Sequence, residues 1–247
     1  MDPGYEKTYH RLEDSHWWFR ARRDFVVRLI AQRLRVPREA AILDLGCSGG
    51  PLLDDLARAG YTNLAGLDIS ADAVALARSR GLQVRQADAS APDLPSESFD
   101  LLVASDLLEH LADDRAALAR WCTLLKSSGQ LVVLVPAFGW LWSAHDELNR
   151  HHRRYRRGEL VRLLRATGFE VPLSAYWNAA LLAPTAAVRI ALRLVPLRLA
   201  TPRTSLAATP RPLDAALYRL LNVENSLLLR GVPFPAGLST WAVARKR

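Results

Sequence analysis

The feature that most constrains the fold is a regular alternation of short apolar segments with amphipathic segments of helical spacing. Apolar segments of strand length recur between residues 41 and 178, and most are followed by a stretch with apolar residues three to four apart. This alternation predicts βαβ units, which build a parallel sheet covered by helices on both faces. The sequence therefore predicts an α/β fold whose ligands bind at the carboxyl ends of the strands.

The predicted elements can be read off in chain order. The strands are AAILDL, NLAGLDIS, LQVRQAD, FDLLVAS, QLVVLVP, FEVPLSAYW and LSTWAVARK. The helices are residues 17–35, PLLDDLARAG, ADAVALARSRG, DDRAALARWCTLLKSSG, RGELVRLLRATG and LDAALYRLLNVENSLLLRG. We expect a doubly wound, mostly parallel seven-stranded sheet. The expected organisation is an N-terminal helical lid (1–37), a cofactor-binding core (38–178), a helical cap insertion (179–235) and the last strand (236–247).

Composition indicates the kind of compartment. The N-terminus lacks an apolar signal region, and no uncharged apolar run approaches the about 18 residues of a membrane span. The two cysteines, Cys47 and Cys122, lie in unrelated contexts and imply no disulfide framework. A reducing, cytoplasmic location is therefore expected.

The charge of the chain is unevenly distributed. Residues 41–144 hold 7 basic and 13 acidic side chains, a balance of −6, whereas residues 171–247 hold 10 basic and 2 acidic, a balance of +8. A basic C-terminal third indicates an anionic partner or a peripheral membrane contact through 179–235. The alternative is compositional, because arginine outnumbers lysine 30 to 3, as in proteins of GC-rich bacterial genomes.

A glycine loop follows the first strand, in ILDLGCSGG. Glycines in such a strand-to-helix turn let the backbone approach a ligand closely. Asp44 precedes the loop, Asp68 ends the second strand and Asp88 ends the third. Three strand-end carboxylates suit a cofactor with a ribose and a positive charge, and they suit a pyrophosphate poorly because carboxylates repel phosphate.

These motifs together resemble those of a known family. LDLGCSGGPLL, GLDIS, QADASAPDLP, SFDLLVASDLLEHL and LLKSSGQLVVLVP resemble, in order and spacing, the class I (Rossmann-like) S-adenosylmethionine-dependent methyltransferases over about residues 40–175. The resemblance implies S-adenosylmethionine as cofactor and S-adenosylhomocysteine as product. It implies the following cofactor-binding residues: Asp44, Gly46, Cys47, Ser48 and Gly50 in the loop around the methionine part, Asp68 and Ile69 at the ribose, Asp88 and Ala89 at the adenine, and Ser105, Asp106 and Leu107 lining the site. Ser48 stands where the family often has glycine. Cys47 is interpreted as a small buried residue under the loop rather than a nucleophile.

The stretch HDELNRHHRRYRR, residues 145–157, follows the fifth strand and therefore emerges at the ligand end of the sheet. Three interpretations stay open: a rim that shapes the acceptor pocket, an ion-pair network tying this rim to the N-terminal helix, and a nucleic-acid surface. If a side chain acts as general base, His145 is the first candidate, followed by His151 and His110.

The segment HWWFRARR, residues 16–23, places three aromatic side chains in a row, and one helix face cannot bury all of them. This segment and the 145–157 stretch resemble those of a bacterial subgroup of the family, of the methyltransferase type 11/12 kind. The predicted lid and substrate residues are Tyr9, Trp18, Phe19, Arg23, Trp142 and Tyr155.

The predicted function is methyl transfer to an O, N or C nucleophile of a small, hydrophobic or lipid-like acceptor. The alternatives are a nucleic-acid or protein methyltransferase and a non-catalytic cofactor-binding module. The insertion is read as a cap over the acceptor, with membrane contact or a dimer interface as alternatives. No metal-ligand spacing stands out, so no metal is expected. Nucleic acid is not an expected partner, and the protein is expected to be a monomer or a homodimer.

Overall fold

The computed structural model describes residues 9–194 and 209–247. Residues 1–8 of the predicted lid and 195–208 of the predicted insertion lie outside this range. The seven predicted strands are all present in one sheet. Their bounds are β1 Ile42–Leu45, β2 Leu64–Asp68, β3 Val84–Gln86, β4 Phe99–Ser105, β5 Leu125–Pro136, β6 Phe169–Trp177 and β7 Ser239–Lys246.

The strand order is β3-β2-β1-β4-β5-β7-β6. Strands β1 to β5 pair in parallel, and β7 lies antiparallel between β5 and β6. The predicted mostly parallel, doubly wound sheet is confirmed. Because β2 and β4 lie on opposite sides of β1, the order reverses there, and the carboxyl ends of β1 to β5 share one edge beside this reversal. This edge is where ligands bind in open α/β sheets.

Helices cover both faces of the sheet. Their bounds are α1 Trp17–Arg28, α2 Pro51–Arg58, α3 Ala71–Ser79, α4 Asp114–Leu124, α5 Ala144–Leu148, α6 Arg157–Ala166, α7 Leu182–Leu194 and α8 Arg211–Leu229. A π-helical turn, Leu29–Leu34, continues α1. The helix α4 ends earlier than its periodicity predicts, because Leu125 already pairs with Phe99 as the first residue of β5. Pairing in the sheet has overridden local helical spacing here.

Central strands are buried on both faces, as in other parallel sheets. In β5, Leu131 and Val133 join the apolar cluster that contains α4 and α6. The intervening Val132 and Leu134 join the cluster that contains α1, α2 and α8. This alternation between two cores explains why the strand segments are apolar at consecutive positions rather than at every second one.

The helices of the segment 179–235 occupy different places. The helix α8 packs on α1, where Asn225 accepts a hydrogen bond from the Trp177 indole (2.8 Å) and donates one to the Ala21 carbonyl (2.8 Å). Of this segment's described residues, Arg189 on α7 lines the cavity at the strand ends, and no residue of α8 does. Within the described residues, α8 extends the helical layer of the core, and α7 reaches the cavity through Arg189. The cap over the acceptor stays a prediction. None of the described helices is both long and apolar enough to cross a membrane.

Candidate active site

A cavity of about 930 Å³ opens at the carboxyl ends of the parallel strands. Fourteen predicted site residues line it: Tyr9, Trp18, Gly46, Ser48, Asp68, Ile69, Asp88, Ala89, Ser105, Asp106, Leu107, His110, His145 and His151. Most of the residues predicted from the sequence thus lie in one cavity. Each of them follows the end of a parallel strand or belongs to a segment that packs against the strand ends. Its volume lies at the upper end of the range for ligand pockets, about 300–1,000 Å³, which leaves room for a cofactor and an acceptor together.

Asp68 organises the glycine loop. Its two carboxylate oxygens accept hydrogen bonds from the backbone N–H groups of Ser48 (2.8 Å) and Ser70 (2.9 Å). Gly46 has a φ of +68°, and a Cβ atom there would lie 2.9 Å from the Leu107 side chain. Glycine is favoured at this turn because the backbone angle is one that other residues rarely adopt, and a Cβ atom would also displace the Leu107 side chain. Asp68 also lines the cavity, and a carboxylate at the end of the second strand suits the ribose hydroxyls of a nucleoside.

The next part of the cavity fits a purine. Asp88 follows β3 and accepts a hydrogen bond from the Ser90 backbone N–H (2.8 Å). Ile69 lines the cavity with a side chain that is 69% exposed, an unusual state for isoleucine that suits the flat face of an adenine. The Ser105 hydroxyl is buried and has no hydrogen-bond partner among the described residues. The residues present therefore fit a nucleoside cofactor such as S-adenosylmethionine.

Asp44 lies deeper than predicted. It is buried in a small second cavity together with Glu13, Arg22 and Cys47, and it does not line the main one. Burial, the neighbouring carboxylate of Asp68 and a partial offset by Arg22 raise the pKa of Asp44 to about 8. A carboxyl group with this pKa is largely protonated at neutral pH until a cation approaches it.

Two residues of the glycine loop, Cys47 and Gly50, do not line the main cavity and instead support the loop. The Cys47 side chain packs beneath β2, where a Cβ atom on Gly66 would lie 2.7 Å from its sulfur. Burial and the carboxylates of Asp44 and Asp68 raise the pKa of the Cys47 thiol, which is the opposite of what a nucleophile needs. The interpretation of Cys47 as a buried residue under the loop is confirmed. Gly50 has a φ of +83° and is the N-cap residue of α2, and it does not line the main cavity.

The N-terminal segment closes one side of the cavity. The Ser48 hydroxyl donates to the buried carboxylate of Glu13 (2.7 Å), so the segment before α1 contacts the glycine loop directly. Arg22 on α1 forms an ion pair with Asp106 after β4, and its guanidinium lies 4.4 Å from the Trp18 ring centroid. These contacts fix α1 to both sides of the cofactor end. They went unpredicted because Glu13 and Arg22 resemble ordinary helix-surface residues in the sequence.

Three histidines gather at the other end of the cavity. The His110 and His151 rings meet edge to face with centroids 4.6 Å apart, and the centroids of His145 and His151 are 6.0 Å apart. Burial, with the neighbouring His151, lowers the pKa of His110 to about 3 and that of His145 to about 4. Both imidazoles are neutral at neutral pH. The lowered pKa makes each a weak general base, and a neutral ring nitrogen can bind a metal ion. Glu109 is fully buried beside them, and burial raises its pKa to about 8.

Asp146 is the centre of the basic stretch. It is fully buried and accepts bonds from Arg154 Nε (2.7 Å) and Nη2 (2.9 Å), and its Oδ1 lies 3.0 Å from His151 Nδ1. Burial works against ionisation, but these bonds hold the pKa of Asp146 below its usual range. A network is present in this stretch, as one interpretation predicted. Arg154 forms an ion pair with Asp146, and Arg153 forms one with Asp114 (3.1 Å). None of the described ion pairs of this stretch reaches the N-terminal helix.

Four predicted lid or substrate residues lie outside the main cavity lining. Phe19 is buried against the rings of Tyr9 (4.8 Å) and Trp18 (5.0 Å), which themselves reach the cavity. Arg23 binds Asp55 (2.7 Å) on α2, and Trp142 closes a turn by donating its backbone N–H to Gly139 (3.1 Å).

Tyr155 is a core residue. It is 4% exposed, and its hydroxyl donates to the Asp114 carboxylate (2.8 Å). The prediction that Tyr155 contacts substrate is therefore corrected, since its ring packs in the cluster of α4 and α6. The sequence could not show this, because a tyrosine between arginines is typical of an exposed segment. In the structure, the backbone at Tyr155 pairs with Ala137, just after β5, and this pairing brings the ring into the core.

The Tyr155→Phe substitution is expected to lower stability without affecting cofactor binding. It removes one buried hydrogen bond to a carboxylate and leaves Asp114 with fewer donors, at a cost of about 1–3 kcal/mol. The melting temperature should fall by about 2–10 °C. Thermal unfolding with and without cofactor measures both effects. A lost affinity for S-adenosylmethionine with unchanged melting temperature would contradict this placement.

Several cavity residues went unpredicted. These are His16, Trp17, Glu109, Asn149, Asn178 and Arg189. Asn178 follows β6 with a φ of +61°, and neither of its amide atoms has a hydrogen-bond partner among the described residues. Trp17 had a signal in the sequence, because three consecutive aromatics require at least one of them to leave the core. The others have none, since they reach the cavity only through the packing of their elements.

The chain matches the sequence model of a family described as a methyltransferase domain, over residues 16–173. It is 31% identical over 173 residues to a probable S-adenosylmethionine-dependent methyltransferase of Mycolicibacterium smegmatis, covering 67% of this chain and 64% of that protein. It is 35% identical over 102 residues to a ubiquinone biosynthesis O-methyltransferase of Xanthomonas axonopodis pv. citri, covering 38% of this chain and 42% of that protein. The match thus spans less than two thirds of either relative.

The fold also resembles that of solved structures. An S-adenosylmethionine-dependent methyltransferase of Thermotoga maritima superposes with a TM-score of 0.61 at 18% identity, covering 98% of each chain. At this identity the likeness concerns the fold, and it agrees with the seven-stranded sheet described above.

Proposed function

Because the chain belongs to the methyltransferase-domain family, whose cofactor is S-adenosylmethionine, we propose that it methylates an oxygen nucleophile on a small, largely apolar acceptor. The observation that carries this proposal is the composition of one cavity. Its cofactor end holds Asp68, Asp88 and Ile69, and its other end holds three histidines and the buried Glu109. A methyl donor and a proton-accepting or metal-binding group are the two requirements for alkylating a hydroxyl group.

The cofactor supplies an electrophilic methyl group, and the protein's task is to align the acceptor with it. Leu111 and Leu238 line the cavity together with Trp17 and Trp18, which suits an aromatic or aliphatic acceptor body. Arg22 and Glu13 hold the N-terminal segment against the cofactor end and so limit access of water. The O-methyltransferase named among the relatives supports an oxygen acceptor. That match covers less than half of each chain, so it supports the reaction class and names no substrate.

Peripheral contact with a membrane belongs to the same proposal, because an apolar acceptor can reside there. Support comes from exposed apolar side chains on the described parts of α7 and α8, including Val188 (58%) and Val223 (62%), in a basic third of the chain.

The proposal is tested by following the methyl group. The protein is incubated with methyl-labelled S-adenosylmethionine and a host-cell lysate, and the organic extract is separated from acid-precipitable material. Label is expected in the organic extract with the native protein and not with Asp68→Ala. Label in precipitated protein or nucleic acid would refute the small acceptor. Tight cofactor binding without any labelled product would instead indicate a non-catalytic module.

A further inference from the structure

Three possible metal ligands meet at the acceptor end of the cavity. One carboxylate oxygen of Glu109 and one ring nitrogen each of His110 and His151 all lie within 4.8 Å of one another. Ligands on a tetrahedral ion with bonds of about 2.1 Å lie about 3.4 Å apart, so small side-chain rotations would bring the three atoms to coordinating distance. All three residues line the cavity.

Glu109 lacks the partners that a buried carboxylate requires. Its side chain is fully buried, and neither oxygen has a hydrogen-bond partner among the described residues. Buried carboxylates are normally paired, hydrogen-bonded or bound to a metal, because an uncompensated one is costly. Because a Glu109 oxygen lies within 4.8 Å of a nitrogen of each imidazole, the geometry points to the third of these arrangements.

The His151 imidazole is held by a buried carboxylate. Its Nδ1 lies 3.0 Å from Asp146 Oδ1. This contact leaves Nε2 of His151 as the nitrogen that would bind a metal ion. Metal-binding histidines almost always show this arrangement, in which the outer hydrogen bond fixes the tautomer and the orientation of the ring. Asp146 is itself fixed by two bonds from Arg154.

We propose that Glu109, His110 and His151 bind a divalent transition-metal ion of the Zn²⁺ type, with an open coordination position facing the cavity. Two imidazoles and one carboxylate form a ligand set that Zn²⁺ uses at catalytic sites, where a water or substrate oxygen completes the shell. The sequence did not predict this site, because Glu109 and His110 are adjacent and His151 follows about forty residues later. Only the fold brings β4 and the segment after β5 together.

The role of the ion rests on the proposed function. An acceptor hydroxyl bound at the open position would lose its proton to solvent more readily, because the ion stabilises the oxyanion. The new bond joins this oxygen to the methyl carbon while the bond between that carbon and the cofactor's sulfur breaks. Asp146 would act as a positioning residue through His151. Metal binding itself does not depend on this role and can be tested without cofactor or acceptor.

The test is a metal titration of tag-free, chelator-treated full-length protein. Zn²⁺ is titrated calorimetrically, and Co²⁺ is followed by its visible absorption, which reports the coordination geometry. One equivalent of either ion is expected to bind. Glu109→Gln and His151→Asn should each weaken binding at least about 10-fold, and Asp146→Asn by about 10- to 100-fold. His152→Ala is the matched control, because His152 is the exposed neighbour of His151 and should leave the affinity unchanged.

Circular dichroism of each variant checks that it remains folded, so that a lost site is not mistaken for a lost fold. Absence of binding by the native protein, or equal binding by Glu109→Gln, would overturn the proposal. The result is separable from the proposed function. A protein that binds one Zn²⁺ but transfers no methyl group would leave the site standing and refute the reaction, and methyl transfer by a protein that binds no metal would do the reverse.

Discussion

Replacing Asp68 by alanine is expected to weaken binding of S-adenosylmethionine by about 100- to 1,000-fold. The carboxylate would accept hydrogen bonds from ribose hydroxyls, and charge-assisted bonds of this kind contribute about 1.5–3 kcal/mol each. Two such bonds near the lower end of this range, about 3–4 kcal/mol together, correspond to the stated loss at about 1.4 kcal/mol per tenfold change in affinity. The loop also loses the acceptor for the N–H groups of Ser48 and Ser70, which adds disorder at the same place.

The affinity is measured by calorimetric titration with S-adenosylhomocysteine, which avoids turnover. Asp72→Ala is the matched control, because Asp72 lies four residues further on, in the first turn of α3, and is exposed. Its variant should bind the cofactor normally. If Asp68→Ala and Asp72→Ala bind equally well, the cofactor does not lie against the end of β2, and the assignment of the cavity's two ends is wrong.

The Asp44→Asn substitution is expected to stabilise the cofactor-free protein while weakening its affinity for the cofactor. Asp44 is buried, and its pKa of about 8 exceeds the ordinary value of 3.8 because burial and Asp68 disfavour the charged form. Asparagine has a similar shape and no charge to desolvate. At pH 8 the melting temperature of the variant should exceed that of the native protein by at least about 3 °C, or about 1 kcal/mol. Such a gain at the expense of binding is typical of functional sites.

The raised pKa of Asp44 also predicts how the free energy of unfolding changes with pH. Between pH 4 and 8 the folded state holds a proton on Asp44 that the unfolded state has released, so the free energy of unfolding falls as the pH rises. The advantage of the variant should therefore grow through this window, level off above pH 8 and shrink toward pH 5. Asp72→Asn serves as the exposed control and should show no such trend. A native protein that is more stable than Asp44→Asn at pH 8 would contradict the prediction.

The cofactor end was predictable because its information is local. The loop from Asp44 to Gly50 and the carboxylates of Asp68 and Asp88 each follow a strand, and parallel strands deliver their carboxyl ends to one edge. The pattern of apolar residues was therefore enough to place Gly46, Ser48, Asp68 and Asp88 in one cavity, although Asp44 and Gly50 lie outside its lining. The helical spacing of apolar residues gave a wrong boundary at Leu125. This residue pairs with Phe99 as part of β5, although the spacing continues through it.

The acceptor end was only partly predictable. The histidines 145, 151 and 110 were predicted as candidate bases in that order, but the sequence carried no signal that Glu109 would lie beside two of them. Distances decided that His110 and His151 pair with Glu109, and burial decided that Tyr155 belongs to the core. Such choices depend on contacts between residues about forty positions apart, which periodicity does not encode.

The sequence by itself determined the sheet, the helices on both of its faces and the edge at which the cofactor is expected to bind. These features depend on the spacing of apolar residues and on turn residues, which act over a few positions. Only the tertiary structure decided that α8 packs on α1 through Asn225 and that Asp146 gathers Arg154 and His151. The physical reason is that burial of a polar group is tolerated only when distant residues supply its partners. Those partners come from packing, and so does the chemistry at the acceptor end.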